Sequence, residues 1–413
     1  MAVRTTDPVT GQRDVAPDAG TYLRLAWKRV RSGETGVLPV VGGLLLVSVI
    51  FQSLNDRFLT PGNLVNLLVQ AAVFALLSMA EVWVLVLGEI DLSVGFVAGI
   101  SAVVVAWLAR PQFGWPWWAA ILAALVVTAL IGLLHGTLIT RIGLPSFIVT
   151  LAGLLFWQGV MLFVLGNGGA ILIRDDVLIA ISSGTLPRIG GWVLVLVVVA
   201  VFGVIVWRRD ARRRDVGLTA PPVSLTIAKI VVCAAGGAGL VLLANADRGR
   251  LAPVYGLPWV VLLVLAVLVA WAYLLGRRRF GLYLYAVGGN AEAARRAGIP
   301  LARIRTMAFV LCSFTAGIAG IVYASRLRSI STSIDGGTLV LYAVAGAVIG
   351  GTSLFGGRGK MLHGVLGGLV IAAIDNGMGL LGFSAAAKYM VTAAVLIVAV
   401  TIDALARRRR PST

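Results

Sequence analysis

Acidic side chains are scarce in this chain. Asp and Glu number 17 in 413 residues, against 35 Lys and Arg, and charged residues of both signs make up only 13%. Soluble domains carry about 25% charged residues, so an ordinary water-exposed surface is excluded. Cysteine and histidine are rarer still, at two each. Cys233 and Cys312 both fall inside apolar stretches, which argues for packing and against a disulfide framework or a metal motif. His135 and His363 lie far apart in sequence with no clustered Cys or carboxylate beside them. Each reads as a helix-packing or interfacial residue and not as a metal ligand or general base. No enzyme constellation and no cofactor site is expected.

What the chain has is apolar sequence. It is 59% hydrophobic, with a mean hydropathy of +0.97. Twelve apolar segments stand out, at roughly 37–54, 64–87, 95–109, 118–139, 147–165, 191–207, 227–244, 259–276, 306–325, 338–351, 361–381 and 388–404. Most can cross, or nearly cross, a hydrocarbon core of about 30 Å as helix. In that core backbone groups must pair internally, which leaves helices or closed barrels. Strand alternation is absent. The expected fold is therefore all-α, a polytopic membrane helix bundle with some segments short or discontinuous. The 50 glycines suit helices that pack closely in lipid.

The formal charge of +18 raises the question of nucleic acid, and the position of the charges answers it. With the N-terminus placed in the cytoplasm, only nine of the 35 Lys and Arg fall outside: Arg57, Arg110, Arg174, Arg188, Arg248, Arg250, Arg326, Arg328 and Lys388. That is the positive-inside bias, and it predicts both termini in the cytoplasm, with no nucleic-acid partner. Residues 1–36 form a polar cytoplasmic tail without a cleavable signal peptide, and Leu23–Val30 is a candidate amphipathic helix. Residues 37–406 form the transmembrane domain and 407–413 a basic cytoplasmic tail. The longest outside loop, Gly166–Gly190, is about 25 residues, too short for an independent core. Any energy source or ligand receptor is expected to come from other chains, or none is needed. The run Gly356-Gly357-Arg358-Gly359-Lys360-Met361 fails as a phosphate loop, because Met361 replaces the metal-binding Ser or Thr and Leu354 replaces the first Gly.

Charges inside apolar segments are functional candidates by default. Glu81 lies within the second segment. Glu89, Asp91 and Ser93 lie between the second and third, and Asp375 with Asn376 lies in the eleventh. One reading is a proton or cation relay through Glu81, Glu89, Asp91 and Asp375. The other places Glu89 and Asp91 at a helix break, where carboxylates accept from free backbone N–H groups. The loop 277–305 is the most structured polar segment. Asn290 is a good N-cap after Gly288 and Gly289, Glu292 falls in the first turn, and Arg295 and Arg296 fall in the last. Gly298 and Pro300 stop the helix. The pattern predicts a capped helix of about two turns over 290–298. Gly289 is expected to supply a positive φ at a sharp turn.

Four stretches carry a specific resemblance: Glu89–Gly95, Pro145–Leu151, Tyr285–Asn290 continuing through Glu292–Ile299, and Val348–Leu354 with Gly356-Gly357. Together, in this order, they are similar to the permease subunits of bacterial ABC importers for monosaccharides, of the ribose/xylose type. An extra apolar hairpin at 191–244 and Asp375-Asn376-Gly377-Met378 resemble the xylose branch. One departure stands out. Where that family has Glu-Leu-Asp-Ala-Ile-Ala-Ala, this chain has Val340–Gly346, so Val340 and Tyr342 replace two carboxylates.

The resemblance implies a division of labour. Two copies of the chain would line one pathway in the bacterial inner membrane, and ATP-binding ABC subunits would grip the capped helix. An extracytoplasmic sugar-binding protein would deliver xylose or a related pentose. Gly288, Gly289, Asn290, Glu292, Ala293, Ala294, Arg295 and Gly298 become the coupling residues. Glu81, Glu89, Asp91, Ser93, Gly350, Gly351, Thr352, Asp375 and Asn376 become candidates for the path or its gate. The permease itself would hydrolyse nothing. The competing class is a proton-coupled secondary sugar transporter using Glu81, Glu89 and Asp375.

Overall fold

The computed structural model describes residues 38–166, 169–216, 220–249, 253–332 and 335–408. The expected N-terminal tail, with Leu23–Val30, lies outside the described residues, as does the end of the expected basic tail from residue 409 on. The chain forms two compact units. One contains Leu186–Leu257, and the other contains Gly36–Thr185 with Pro258–Thr413.

In the larger unit the helices are α1 (Leu38–Leu54), α2 (Pro61–Leu85), α3 (Val94–Leu108), α4 (Trp117–Thr137, ending in a π turn at Leu138–Ile142), α5 (Ser146–Leu165) and α6 (Asp176–Ser183). The smaller unit contributes α7 (Arg188–Asp215) and α8 (Val223–Asn245). The larger unit resumes with α9 (Trp259–Arg277), α10 (Arg279–Gly289), α11 (Ala291–Arg296), α12 (Leu301–Leu327), α13 (Gly336–Ile349), α14 (Met361–Leu380) and α15 (Ala385–Arg408). Among the described residues, eight helices are long and apolar enough to span a membrane, and α1, α3, α13 and the first part of α15 are shorter apolar helices. The protein is a polytopic membrane helix bundle. The only strands among the described residues are β1 (Ala170–Leu172) and β2 (Ser329–Ser331), paired antiparallel with Ile171 opposite Ile330.

Proline sets many of the helix starts. Helices α4, α5, α7, α8, α9 and α12 begin directly after Pro116, Pro145, Pro187, Pro222, Pro258 and Pro300. The ring fixes φ and cannot be accommodated inside a helix, but at a start it gives up no intrahelical hydrogen bond. Burial then sorts the helices. Helices α2, α12 and α14 are mostly buried, whereas α5 and α9 leave most of their apolar surface exposed. Leu45, Leu155 and Phe163 are among the exposed apolar side chains, as expected where lipid is the solvent. The central helices approach through small residues, the means by which helices associate without a hydrophobic drive. A Cβ at Gly364 or Gly368 on α14 would press into the α2 backbone at Met79 or Ala75. Gly132 and Gly136 on α4 meet Phe309 and Thr306 of α12 in the same way.

Two helices are too short for the full crossing. At 1.5 Å per residue, α3 spans about 22 Å and α13 about 21 Å, against a core of about 30 Å. In the adjoining irregular segments, 86–93 and 350–360, Val86, Glu89, Asp91, Ser93, Thr352 and Ser353 are buried, while Gly88, Gly351, Phe355, Arg358 and Lys360 are exposed.

The smaller unit is a helical hairpin. Asp210 on α7 is fully buried and accepts from Thr226 Oγ1 of α8 at 3.0 Å. It also pairs with Arg209 at 3.0 Å and with Lys229 at 3.5 Å. At the other end, Leu186 N donates to Leu257 O at 2.8 Å, and Arg188 stacks 3.7 Å from the centre of the Tyr255 ring. Asp247 accepts from the N–H groups of Gly249 and Val254. The backbone donation from Gly249 is the main reason its carboxyl lies below the usual range.

Candidate functional site

The four motif stretches, scattered over more than two hundred residues, meet at one end of the larger unit. The segment after α2 begins with a close approach. Gly288, in the last turn of α10, lies against the Val86 carbonyl oxygen and the Gly357 N–H, and any Cβ there would collide with both. Gly357 N in turn donates to Val86 O at 2.8 Å. Gly88, Gly356 and Gly357 all have positive φ, so the 86–93 and 350–360 segments need glycine for backbone conformation as well as for proximity. The Tyr285 hydroxyl of α10 donates to Gly359 O at 2.5 Å, and burial raises the pKa of that phenol. Arg305 of α12 forms an ion pair with Glu89. Burial pushes the Glu89 carboxyl up, and the Arg305 guanidinium works against that rise.

On this clamp sits α11. Asn290 Oδ1 accepts from Ala293 N at 2.9 Å, closing the first turn. Gly298, at φ +79, ends the segment. Ala294 is buried, while Ala291, Glu292, Ala293, Arg295 and Arg296 are exposed. Glu292 pairs with Arg295 at 2.7 Å and Arg296 at 3.1 Å. The helix covers 291–296, within the expected 290–298. The expectation for the glycines is corrected: neither Gly288 nor Gly289 has a positive φ, because both belong to α10. The turn is made by Asn290 in extended conformation, at φ −157 and ψ 100. Gly289 has open space around a notional Cβ, so the steric constraint falls on Gly288.

Behind the clamp lies a buried polar chain. Trp157 Nε1 donates to His135 Nε2 at 3.2 Å, which leaves Nδ1 to face Ser93 Oγ at 3.4 Å. Ser93 Oγ donates to Asp91 Oδ1 at 2.5 Å, and Ser93 N donates to the same oxygen at 2.9 Å. Cys312 Sγ lies 3.7 Å from Asp91 Oδ2. Thr150 Oγ1, from the Pro145–Leu151 motif, faces Ile90 O at 3.4 Å. Glu81 is fully buried close to Asp91, with neither carboxylate oxygen in normal hydrogen-bond geometry. Among the described residues, no His, Cys, Asp and Glu group is arranged to hold a metal ion. Gly350, Gly351 and Thr352 lead out of α13; Gly350 and Gly351 lie against His363, and Thr352 is buried.

Asp375 and Asn376 lie elsewhere, towards the far end of α14. Asp375 pairs with Lys388 of α15 at 2.9 Å and accepts from Gln70 of α2. Asn376 Oδ1 accepts from Asn63 Nδ2 at 2.8 Å. Tyr342 is buried edge-on to Phe74 at 5.0 Å, and its hydroxyl faces Asp375 and Thr392. The candidate residues therefore form two groups. Glu81, Glu89, Asp91 and Ser93 adjoin the clamp, whereas Asp375 and Asn376 adjoin Gln70, Asn63 and Lys388. The involvement of His135, Trp157, Gln70 and Lys388 had no local signal in the sequence.

The larger unit thus combines spanning helices, shorter apolar ones, a glycine-packed junction and a small capped helix. The chain belongs to the family described as branched-chain amino acid transport system / permease component, which matches residues 63–400. It is 32% identical over 385 residues to the xylose transport system permease protein of Escherichia coli, covering 92% of this chain and 94% of that one. The xylose transport system permease protein of Haemophilus influenzae is 32% identical over 91% of this chain and 98% of its own length. The ribose import permease protein of E. coli is 28% identical over 97% of this chain and 98% of its own. No solved structure matches.

Proposed function

We propose that this chain is the membrane-spanning subunit of an ABC importer that moves a monosaccharide, xylose or a related pentose, into the cytoplasm. The observation that carries the reading is the seating of α11 on the clamp. A short helix with an exposed polar face follows directly on α10, which Gly288 and Tyr285 join to the 86–93 turn and the 350–360 loop, while the Glu89–Arg305 pair ties that turn to α12. A push on that face is transmitted to α2, α3, α13 and α14 together, because those segments end at the same junction. A partner ATPase docked on Ala293, Glu292 and Arg295 would have this lever available. Hydrolysis belongs to the ATP-binding subunits, and the permease carries no cofactor. A sugar-binding protein delivers substrate at the opposite end, and two permease copies line the path. The basic loops at 208–226 and 277–305 and both termini lie on the cytoplasmic side of a bacterial inner membrane.

The sugar assignment is supported by the xylose and ribose relatives. The proton-coupled alternative needs carboxylates free to load and release. Two of its three candidates are committed to cations, Glu89 to Arg305 and Asp375 to Lys388. The test is uptake of labelled xylose into proteoliposomes holding this chain, its partner ATPase and a sugar-loaded binding protein. Uptake should require ATP and persist with a protonophore. Uptake that collapses with the protonophore and ignores ATP would establish the symporter instead.

A further inference from the structure

The α7–α8 hairpin has a built feature that the transport reading does not use. Its surface carries a shallow, open groove of about 440 Å³ formed by both helices. Ala200, Gly203 and Val204 of α7 and Ile230 of α8 form its apolar body, and Trp207 and Arg208 stand at its end. Gly203 makes the hollow: a Cβ there would already reach van der Waals contact with Ile230, 3.6 Å away. Small residues between two long apolar side chains leave a slot for a flexible chain and not for a ring of polar contacts.

The end of the slot is cationic. Ala200, Val204 and Arg208 lie four residues apart on one stripe of α7, and Arg212 continues it by one more turn. Arg209 and Lys229 are engaged by Asp210, and Arg214 donates to Pro221 O. Arg208 and Arg212 are exposed and have no ion pair with a carboxylate among the described residues. Trp207 is half-exposed beside them, as indoles are where hydrocarbon gives way to headgroups. An apolar slot, an interfacial indole and two unneutralised guanidiniums in line match the parts of one molecule type, with acyl chain, glycerol region and phosphate in that order. Basic pockets between spanning helices are settings in which anionic headgroups are held.

We propose that this hairpin binds an anionic phospholipid, with one acyl chain lying along Gly203 and Ile230 and its phosphate held by Arg208 and Arg212. The site is independent of what the protein transports. It gives the hairpin a role as an anchor for a particular class of lipid.

The test uses the full chain purified in mild detergent. Retained phosphatidylglycerol is counted by native mass spectrometry against phosphatidylcholine with the same acyl chains. The wild type should retain phosphatidylglycerol preferentially. Each arginine removed should weaken retention roughly fivefold, and Arg208→Gln with Arg212→Gln roughly 30-fold. Filling the slot with Gly203→Leu, or with Ala200→Leu should the former unfold, should also release the lipid while leaving both guanidiniums in place. Inorganic phosphate alone should compete poorly. Equal retention of the two lipids, or arginine variants that retain the lipid as the wild type does, would overturn the proposal. So would slot-filled variants that still bind while free phosphate displaces the lipid, since that describes an anion site with no acyl component. A photoreactive residue at Val204 should cross-link to lipid in membranes; cross-linking to a protein helix would instead assign the groove to a partner chain.

Discussion

Gly288 packs directly on the carbonyl oxygen of Val86, with no room for a side chain between them. The first residue belongs to the helix that precedes α11 and the second to the end of the most buried spanning helix. Their contact, braced by the Gly357-to-Val86 hydrogen bond of 2.8 Å, joins the exposed polar segment to the core. A lever transmits force only if its fulcrum is rigid, and close-packed backbone is the stiffest arrangement available in a protein interior.

The two adjacent glycines should therefore behave differently. Gly288→Val must displace Val86 or Gly357, and overpacking of this kind costs about 1–3 kcal/mol. Gly289→Val meets open space at the last residue of α10, and it should be close to neutral. Thermal unfolding in detergent compares them. A lowered midpoint for Gly288→Val alone is expected, and equal effects would contradict the packing account.

Asp375 and Lys388 form a partly buried pair, 17% and 24% exposed. Lys388→Met leaves Asp375 without its cation and should destabilise by about 1–3 kcal/mol, less than the full penalty for a buried pair because water retains some access. Asp375→Asn in the same chain should recover most of that loss. A double-mutant cycle on unfolding midpoints measures the coupling, and strictly additive losses would mean that the pair is incidental.

Orientation can be read by single-cysteine labelling after Cys233 and Cys312 are replaced. Ala291 and Gln112 are exposed at opposite ends of spanning segments. An impermeant thiol reagent applied from outside should modify Gln112→Cys and leave Ala291→Cys untouched until the membrane is permeabilised. Ready external labelling of Ala291→Cys would invert the topology.

The spans were legible because each is a solid apolar run, and in lipid such a run has helix as its only open form. Their ends were less so. The apolar pattern stops at Trp207, yet α7 runs on to Asp215, since Arg, Ala and Asp continue a helix that is already nucleated. The capped helix was readable from Asn290, Glu292 and Gly298, whose roles depend on neighbours in sequence. The pair of glycines suggests a turn with positive φ at Gly289, which has none; the constraint falls on Gly288 and comes from Val86, some two hundred residues away. His135 and Ser93, and Glu89 and Arg305, are likewise brought together only by helix packing, which leaves no mark in either local sequence.

The most direct test of the coupling account is ATPase activity of the reconstituted complex, with and without sugar-loaded binding protein. Glu292→Arg reverses the exposed face of α11 but breaks only surface ion pairs, worth about 0–1 kcal/mol, so the variant should insert and fold. The account predicts that Gly289→Ala keeps full stimulation, while Glu292→Arg and Gly288→Val lose it together with sugar uptake. Full stimulation and transport in both of those variants would contradict it.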